Sequence, residues 1–354
     1  MERSRQVLEK SKTAPSQNNK ESIEMYFQHF RMEEERHEWE ASNNQLRSDI
    51  NLINVIEHLD LFYFNYRIEL VNRFLLQKKA MSLPEFNLAV PELTELLGKS
   101  KRLDITYKIF QLLNQENPSG AEVLELNKIL QDMEDKFSFS TLDNLFAYLR
   151  SLCTLSINAG KTDFITVLHE INKNNLEKGY LFLFGKLPFH SYLNLVQVAL
   201  RSKDISWAKE VTERFRNSIL EPGDYAFSYK LNLAQCFFEE NRYDDAFDSL
   251  PNVSSNSHYH HVVRRLELKI LYELKSDLLL YKIDSFRKFV ERTALKLLAS
   301  SYREMDLNFL KILHQLAQSP PKDKARSARL IKRIEEKKFI AERTWLLEKA
   351  RELG

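Results

Sequence analysis

Glycine and proline are scarce, at 7 and 9 in 354 residues. Strand-rich folds use such residues in turns at intervals of about 8 to 12 positions, so their shortage predicts long helices rather than many hairpins. Two cysteines, Cys153 and Cys236, exclude a disulfide framework and any Cys-x-x-Cys redox or zinc motif. Each sits in an apolar stretch, where a reduced thiol behaves as a small hydrophobe. Long uncharged apolar runs are also missing, and "YLFLFG" is far too short to cross a bilayer. The first twenty residues, MERSRQVLEKSKTAPSQNNK, carry no apolar segment of the kind a secretory signal needs, so the expectation is a cytoplasmic chain. Nor is there an excess of one charge. Lys and Arg total 52 against 50 acids, a balance that gives no global field toward nucleic acid or an anionic membrane.

Chemical motifs are missing as well: there is no Gly-x-Ser-x-Gly elbow and no glycine-rich dinucleotide turn. "GYLFLFGKL" at 179–187 has glycine, glycine and lysine in phosphate-loop order. Gly179 and Gly185 are one residue too far apart, and Leu187 stands where a magnesium-binding hydroxyl is needed. The stretch reads as a helix-to-helix connection. "HYHH" gathers His258, His260 and His261, but zinc draws tetrahedral ligands from separate elements and nothing nearby completes a set, so this reads as a solvated helix start. His29, Glu33 and His37 recur every fourth residue and read as a polar helix face. No catalytic residue, metal or cofactor is expected.

Hydrophobic residues make up 43% and charged residues 29%, ordinary for a chain that folds. Residues 1–20 are polar and read as a disordered tail. Residues 21–135 form an N-terminal helical region. Within it "ESIEMYFQHFRMEEERHEWE" is an acidic amphipathic helix with Ile23, Phe27, Phe30 and Glu34 at helical spacing. Leu52, Val55, Leu59, Phe62, Tyr66, Leu70 and Phe74 then mark one long helix, or two broken near Asp60. Ser82 with Glu85, Ser119 with Glu122, and Ser140 with Asp143 have the spacing of helix starts, a hydroxyl followed three residues on by an acid.

From residue 136 to 319 the pattern becomes repetitive. An apolar helix, a break at Ala159 and Gly160, and a second apolar helix make a helical hairpin. Tyr148, Tyr192 and Lys230 then take one place in successive first helices, and Phe164, Ala208 and Ala246 one place in the second, at periods of 44 and 38 residues. Residues 320–354 close the chain as a basic helix with eleven basic residues against six acids, and Leu330, Ile334, Ala341 and Trp345 on an apolar stripe.

"LAQCFFEENRYDDAFDSL" is the clearest copy, and it resembles the tetratricopeptide pattern: Leu233, Ala234 and Phe237 on the first helix, Asn241 at the turn, Tyr243, Ala246 and Leu250 on the second. Ala234 and Ala246 supply the clearance that lets two helices approach. Asp244 and Asp245, adjacent in sequence, point about 100° apart on a helix and read as favourable charge at its positive end rather than as a catalytic pair. "RRLELKILYELKSDLLLYKIDSFRKFVER" and "AERTWLLEKARELG" look like a family of uncharacterised bacterial helical-repeat proteins, over residues 140–354. These resemblances imply an all-α solenoid of antiparallel helix pairs, a tetratricopeptide-like superhelix. They bring no activity with them; the repeated helix-pair spacing and the missing catalytic motifs instead give the expectation of a non-enzymatic scaffold that binds a peptide or protein partner on its concave surface. The alternative is nucleic-acid binding through the basic C-terminal segment.

Overall fold

A computed structural model describes residues 20–42, 48–81, 96–220, 226–252, 259–293 and 300–354. It is all-helical. Fifteen helices and two two-residue strands occur among the described residues, and the chain divides into two compact units, 1–186 and 187–354.

The first unit holds α1 (Ile23–Ser42), α2 (Ser48–Met81), α3 (Lys101–Asn114), α4 (Gly120–Asp132), α5 (Phe139–Asn158) and α6 (Phe164–Glu177). Local chemistry explains most of their ends. Ser119 and Glu122 form the reciprocal capping box that opens α4. Ser100 Oγ accepts from Leu103 N at 3.1 Å to open α3. At α5 the expected pair is displaced: Ser138, not Ser140, caps the helix, accepting from Thr141 N at 3.2 Å. Asp143 lies a turn inside α5 and faces Arg150 at 3.7 Å. Ser82 and Glu85 fall outside the described residues, as do residues 1–19.

α2 runs unbroken through Asp60 for 34 residues and packs against α1, α3 and α5. The face it buries is not the expected apolar stripe. Asn65, Glu69 and Asn72 are buried beside Ile68 and Val71, whereas Leu52, Leu59, Tyr66 and Leu70 are exposed. The buried polar groups are matched across the packing: Arg102 of α3 pairs with Glu69 and donates to Asn65 Oδ1 at 3.2 Å. Asn72 Nδ2 donates to Thr106 O at 2.9 Å, and Tyr148 OH to Glu69 O at 3.1 Å. α1 follows the same rule, burying Tyr26 while Phe27 stays exposed. The Tyr26 hydroxyl lies 2.7 Å from both Glu21 Oε2 and Ser100 Oγ.

The second unit holds β1 (Leu187–Pro188), α7 (Phe189–Arg201), α8 (Ile205–Phe215), β2 (Ile219–Leu220), α9 (Ala226–Glu239), α10 (Tyr243–Asp248), α11 (His260–Glu273), α12 (Leu279–Arg292), α13 (Ser300–Ala317), α14 (Lys324–Glu335) and α15 (Arg343–Glu352). β1 and β2 pair in parallel, with Leu187 opposite Ile219, both fully buried. α9 packs against α7, α8, α10 and α11, and one apolar core runs from Leu193 to Leu353. The basic end is not one helix. α14 and α15 pack on each other, and α15 also packs on α13.

One device recurs at the ends of α5, α7, α9 and α11. Gly160, Lys203, Asn241 and Lys275 all have positive φ, from 51° to 94°. Each donates to the carbonyl three residues back, and the next residue donates to the carbonyl five back, as in Asn241 N to Phe238 O and Arg242 N to Phe237 O, both 3.0 Å. This left-handed cap satisfies carbonyls that the helix end would otherwise orphan.

Candidate binding groove

The left-handed caps give a common origin for comparing helices. Ten residues before the cap stand Leu193 on α7, Leu231 on α9 and Arg265 on α11; six residues before it stand Gln197, Gln235 and Lys269. The α7 and α9 pairs, with Tyr259 and Val262, line one small groove of about 60 Å³. Leu193 and Leu231 form its buried floor. Gln235 Oε1 is buried with no hydrogen-bond partner among the described residues. At one end Tyr259 lies edge-on to Phe189 at 5.5 Å and tilted to Phe227 at 6.0 Å, so an aromatic cluster bridges the start of three helices.

On α11 the equivalent positions are closed by the chain itself. Lys269 Nζ lies 2.9 Å from Glu342 Oε2, and Arg265 pairs with Asp306 at 3.2 Å and approaches Glu342 at 3.8 Å. Burial alone would raise the Glu342 carboxyl. The Lys269, Arg265 and Arg201 cations outweigh it and hold the group below the ordinary carboxylate range. Glu342 has φ of 54°, the left-handed conformation immediately before α15. α15 is further tied down by Glu273, which accepts from Trp345 Nε1 and Lys349 Nζ, each at 3.0 Å.

Ala234 and Ala246 are fully buried where α9 meets α10. Phe237, Tyr243 and Leu250 pack partly buried on the same core, and Leu233 is half-buried. Asn241 adopts the left-handed turn and its Oδ1 accepts from Tyr243 OH at 2.7 Å. Two expectations need correction. α10 ends at Asp248, so Leu250 lies beyond the second helix rather than on it. Lys230 is exposed although Tyr192, at the same distance from its cap, is fully buried. Asp244 and Asp245 stand in the first turn of α10.

The histidines diverge. His258 lies outside the described residues, His260 stacks on Phe289 at 4.1 Å, and His261 Nδ1 lies 2.6 Å from buried Asp306 Oδ2. His29 sits 6.0 Å from His58, and burial together with that neighbour lowers its pKa. No cluster of three His, Cys, Asp or Glu suited to a metal occurs among the described residues. "GYLFLFGKL" forms a tight turn: Leu183 and Lys186 exchange backbone hydrogen bonds of 2.8 and 3.0 Å around Phe184 and Gly185, both with positive φ. Both cysteines are free and buried, and burial pushes Cys153 up to about 12 and Cys236 up to about 11.

A larger open depression of about 390 Å³ lies along α3 in the first unit, lined by Leu97, Lys101, Tyr107, Lys108 and Met133 among others, but no repeated position contributes to it. No helix among the described residues is long and apolar enough to cross a membrane. Gln197, Gln235, Asp306 and Glu342 were not singled out by sequence reasoning. A signal existed for the first two: "LNLVQ" at 193–197 and "LNLAQ" at 231–235 are nearly identical, 38 residues apart. No protein-family profile, curated protein or solved structure matches the chain.

Proposed function

We propose that the second unit is a non-enzymatic helical-repeat module of tetratricopeptide-like design, and that it binds an extended peptide segment of a protein partner along the face of α7 and α9 and the start of α11. The observation carrying this reading is the repetition of Leu and Gln at cap-equivalent positions on α7 and α9, lining one groove. Packed helices lie about 8–10 Å apart. An extended chain advances roughly 3.3 Å per residue, so amides repeated on neighbouring helices meet a peptide backbone every third residue. Gln197 and Gln235 would bond the peptide backbone, while Leu193, Leu231 and Val262 would take an apolar side chain. Backbone-directed amides suit an unfolded segment better than a folded surface.

The reading places the chain in the cytoplasm, a reducing setting that suits two buried thiols. The alternative, nucleic acid held along 320–354, draws less support. Lys349 is spent on Glu273, and Arg343 donates to the Ile334 carbonyl at 2.5 Å at the end of α14.

The test is affinity capture with full-length protein and a Gln197→Ala, Gln235→Ala variant, followed by direct binding of peptides from the captured partner. Loss of one partner from the variant, with unchanged helicity, supports the groove. Identical recovery and identical peptide affinity for both proteins overturn it.

A further inference from the structure

The outer face of α2 carries Leu52, Ile56, Leu59, Tyr63, Tyr66 and Leu70, each between 42% and 52% exposed. Their spacing is 4, 3, 4, 3, 4. That alternation is a heptad seam, the 3.5-residue period at which a helix supercoils with another helix. α1 and α2 hold ten of the twenty exposed large hydrophobics among the described residues. α2 cannot turn this seam inward, because its opposite face is committed to Arg102, Asn65, Glu69 and Asn72 contacts with α3.

We infer that this seam is a two-fold interface at which α2 of one copy packs antiparallel on α2 of a second copy. Pairing centred on Leu61 sets Leu52 against Leu70 of the second copy, Ile56 against its Tyr66, and Leu59 against its Tyr63. Each tyrosine then meets an aliphatic side chain. A parallel arrangement would instead set Tyr63 on Tyr63 and Tyr66 on Tyr66 in the seam. Charge selects the same direction: of the charged residues flanking the seam, Asp60 lies on the first half of α2 and Arg67, one heptad later, on the second. Antiparallel packing brings unlike halves together, and parallel packing brings like halves together.

The area is sufficient. Side chains of this size expose roughly 80 Å² each at such fractions, so six per copy give about 1,000 Å² in all. Ile53 and Phe27 beside the seam carry that to the roughly 1,200 Å² at which specific interfaces begin. Other occupants fit less well. Residues 1–19 offer only Met1, Val7, Leu8 and Ala14 as apolar side chains, and Pro91 would cut short any helix begun at Ser82 before it matched the length of the seam. Asp60 and Arg67 flank the apolar face with opposite charges, so it carries no net attraction to an anionic bilayer.

Sedimentation equilibrium on the full chain tests this. The wild type is expected at twice 41.9 kDa, and Ile56→Glu with Tyr63→Glu at half that mass with unchanged helicity. Cysteine pairs report direction: a chain with Leu52→Cys and Leu70→Cys should cross-link between copies, while Leu52→Cys alone should not. Buried Cys153 and Cys236 stay silent. A wild type that remains monomeric at about 100 µM overturns the interface and assigns the seam to another covering element. Cross-linking through Leu52→Cys alone overturns the antiparallel direction.

Discussion

Removing Glu69 should be among the most costly single changes in the first unit. Arg102 and Glu69 have side chains only 3% and 4% exposed, so neither charge can turn to solvent. The guanidinium has few other partners among the described residues: Asn65 Oδ1 at 3.2 Å and Asn65 O at 3.4 Å accept from Nη1, while Nε is buried with no hydrogen bond. Glu69→Gln keeps the shape and removes the charge, leaving a buried cation on neutral acceptors. Breaking one side of such a pair costs about 3–5 kcal/mol, a large share of the roughly 5–15 kcal/mol that holds a domain folded. Arg102→Met should cost less, about 2–3 kcal/mol, because Glu69 keeps Arg73, which is half-exposed. Replacing both, Glu69→Leu with Arg102→Met, removes the charges together and should return within about 1 kcal/mol of the wild type. Tyr148 reports whether the backbone has moved, since its hydroxyl donates to the Glu69 carbonyl rather than to the side chain. The assay is equilibrium urea unfolding read by hydrogen exchange at α3 and α5 amides, which follows the first unit alone. A Glu69→Gln cost below about 1 kcal/mol, or a double variant as unstable as the two single changes summed, would refute a buried and coupled pair.

The caps at Lys203 and Lys275 hold non-glycine residues with positive φ. Lys203→Gly and Lys275→Gly should each stabilise the chain by up to about 1 kcal/mol in thermal unfolding, whereas Asn241→Ala should destabilise it by about 1 kcal/mol. Ser138→Ala should cost about 1 kcal/mol through the lost α5 cap, and Ser140→Ala less than half of that. Glu342 and Glu267 both sit below the ordinary carboxylate range. Their contribution is complete above the unfolded value near about 4.3 and is lost as pH falls through the folded values, so Glu342→Gln should flatten the acid limb of the stability profile. Cys153 and Cys236 should resist alkylation at about pH 8 in the folded chain and react fully in denaturant, as counted by mass.

Interactions between near neighbours were legible in the sequence. Helical class followed from the scarcity of glycine and proline, the α4 start from the Ser119–Glu122 spacing, the α5 end from Gly160, and the α9–α10 contact from two alanines twelve residues apart. Each depends on groups within one or two turns, where spacing alone fixes geometry. Tertiary structure alone decided which face of α2 turns inward. Its apolar seam and its Asn65–Glu69–Asn72 face are both helical stripes, and only the arrival of Arg102 and Thr106 from α3 makes burying the polar one favourable. The same holds for Glu342, whose cation partner Lys269 lies 73 residues away, and for the left-handed lysines, which no glycine signals. Burial of a charge is stable only when a distant partner meets it, and no local pattern specifies that meeting.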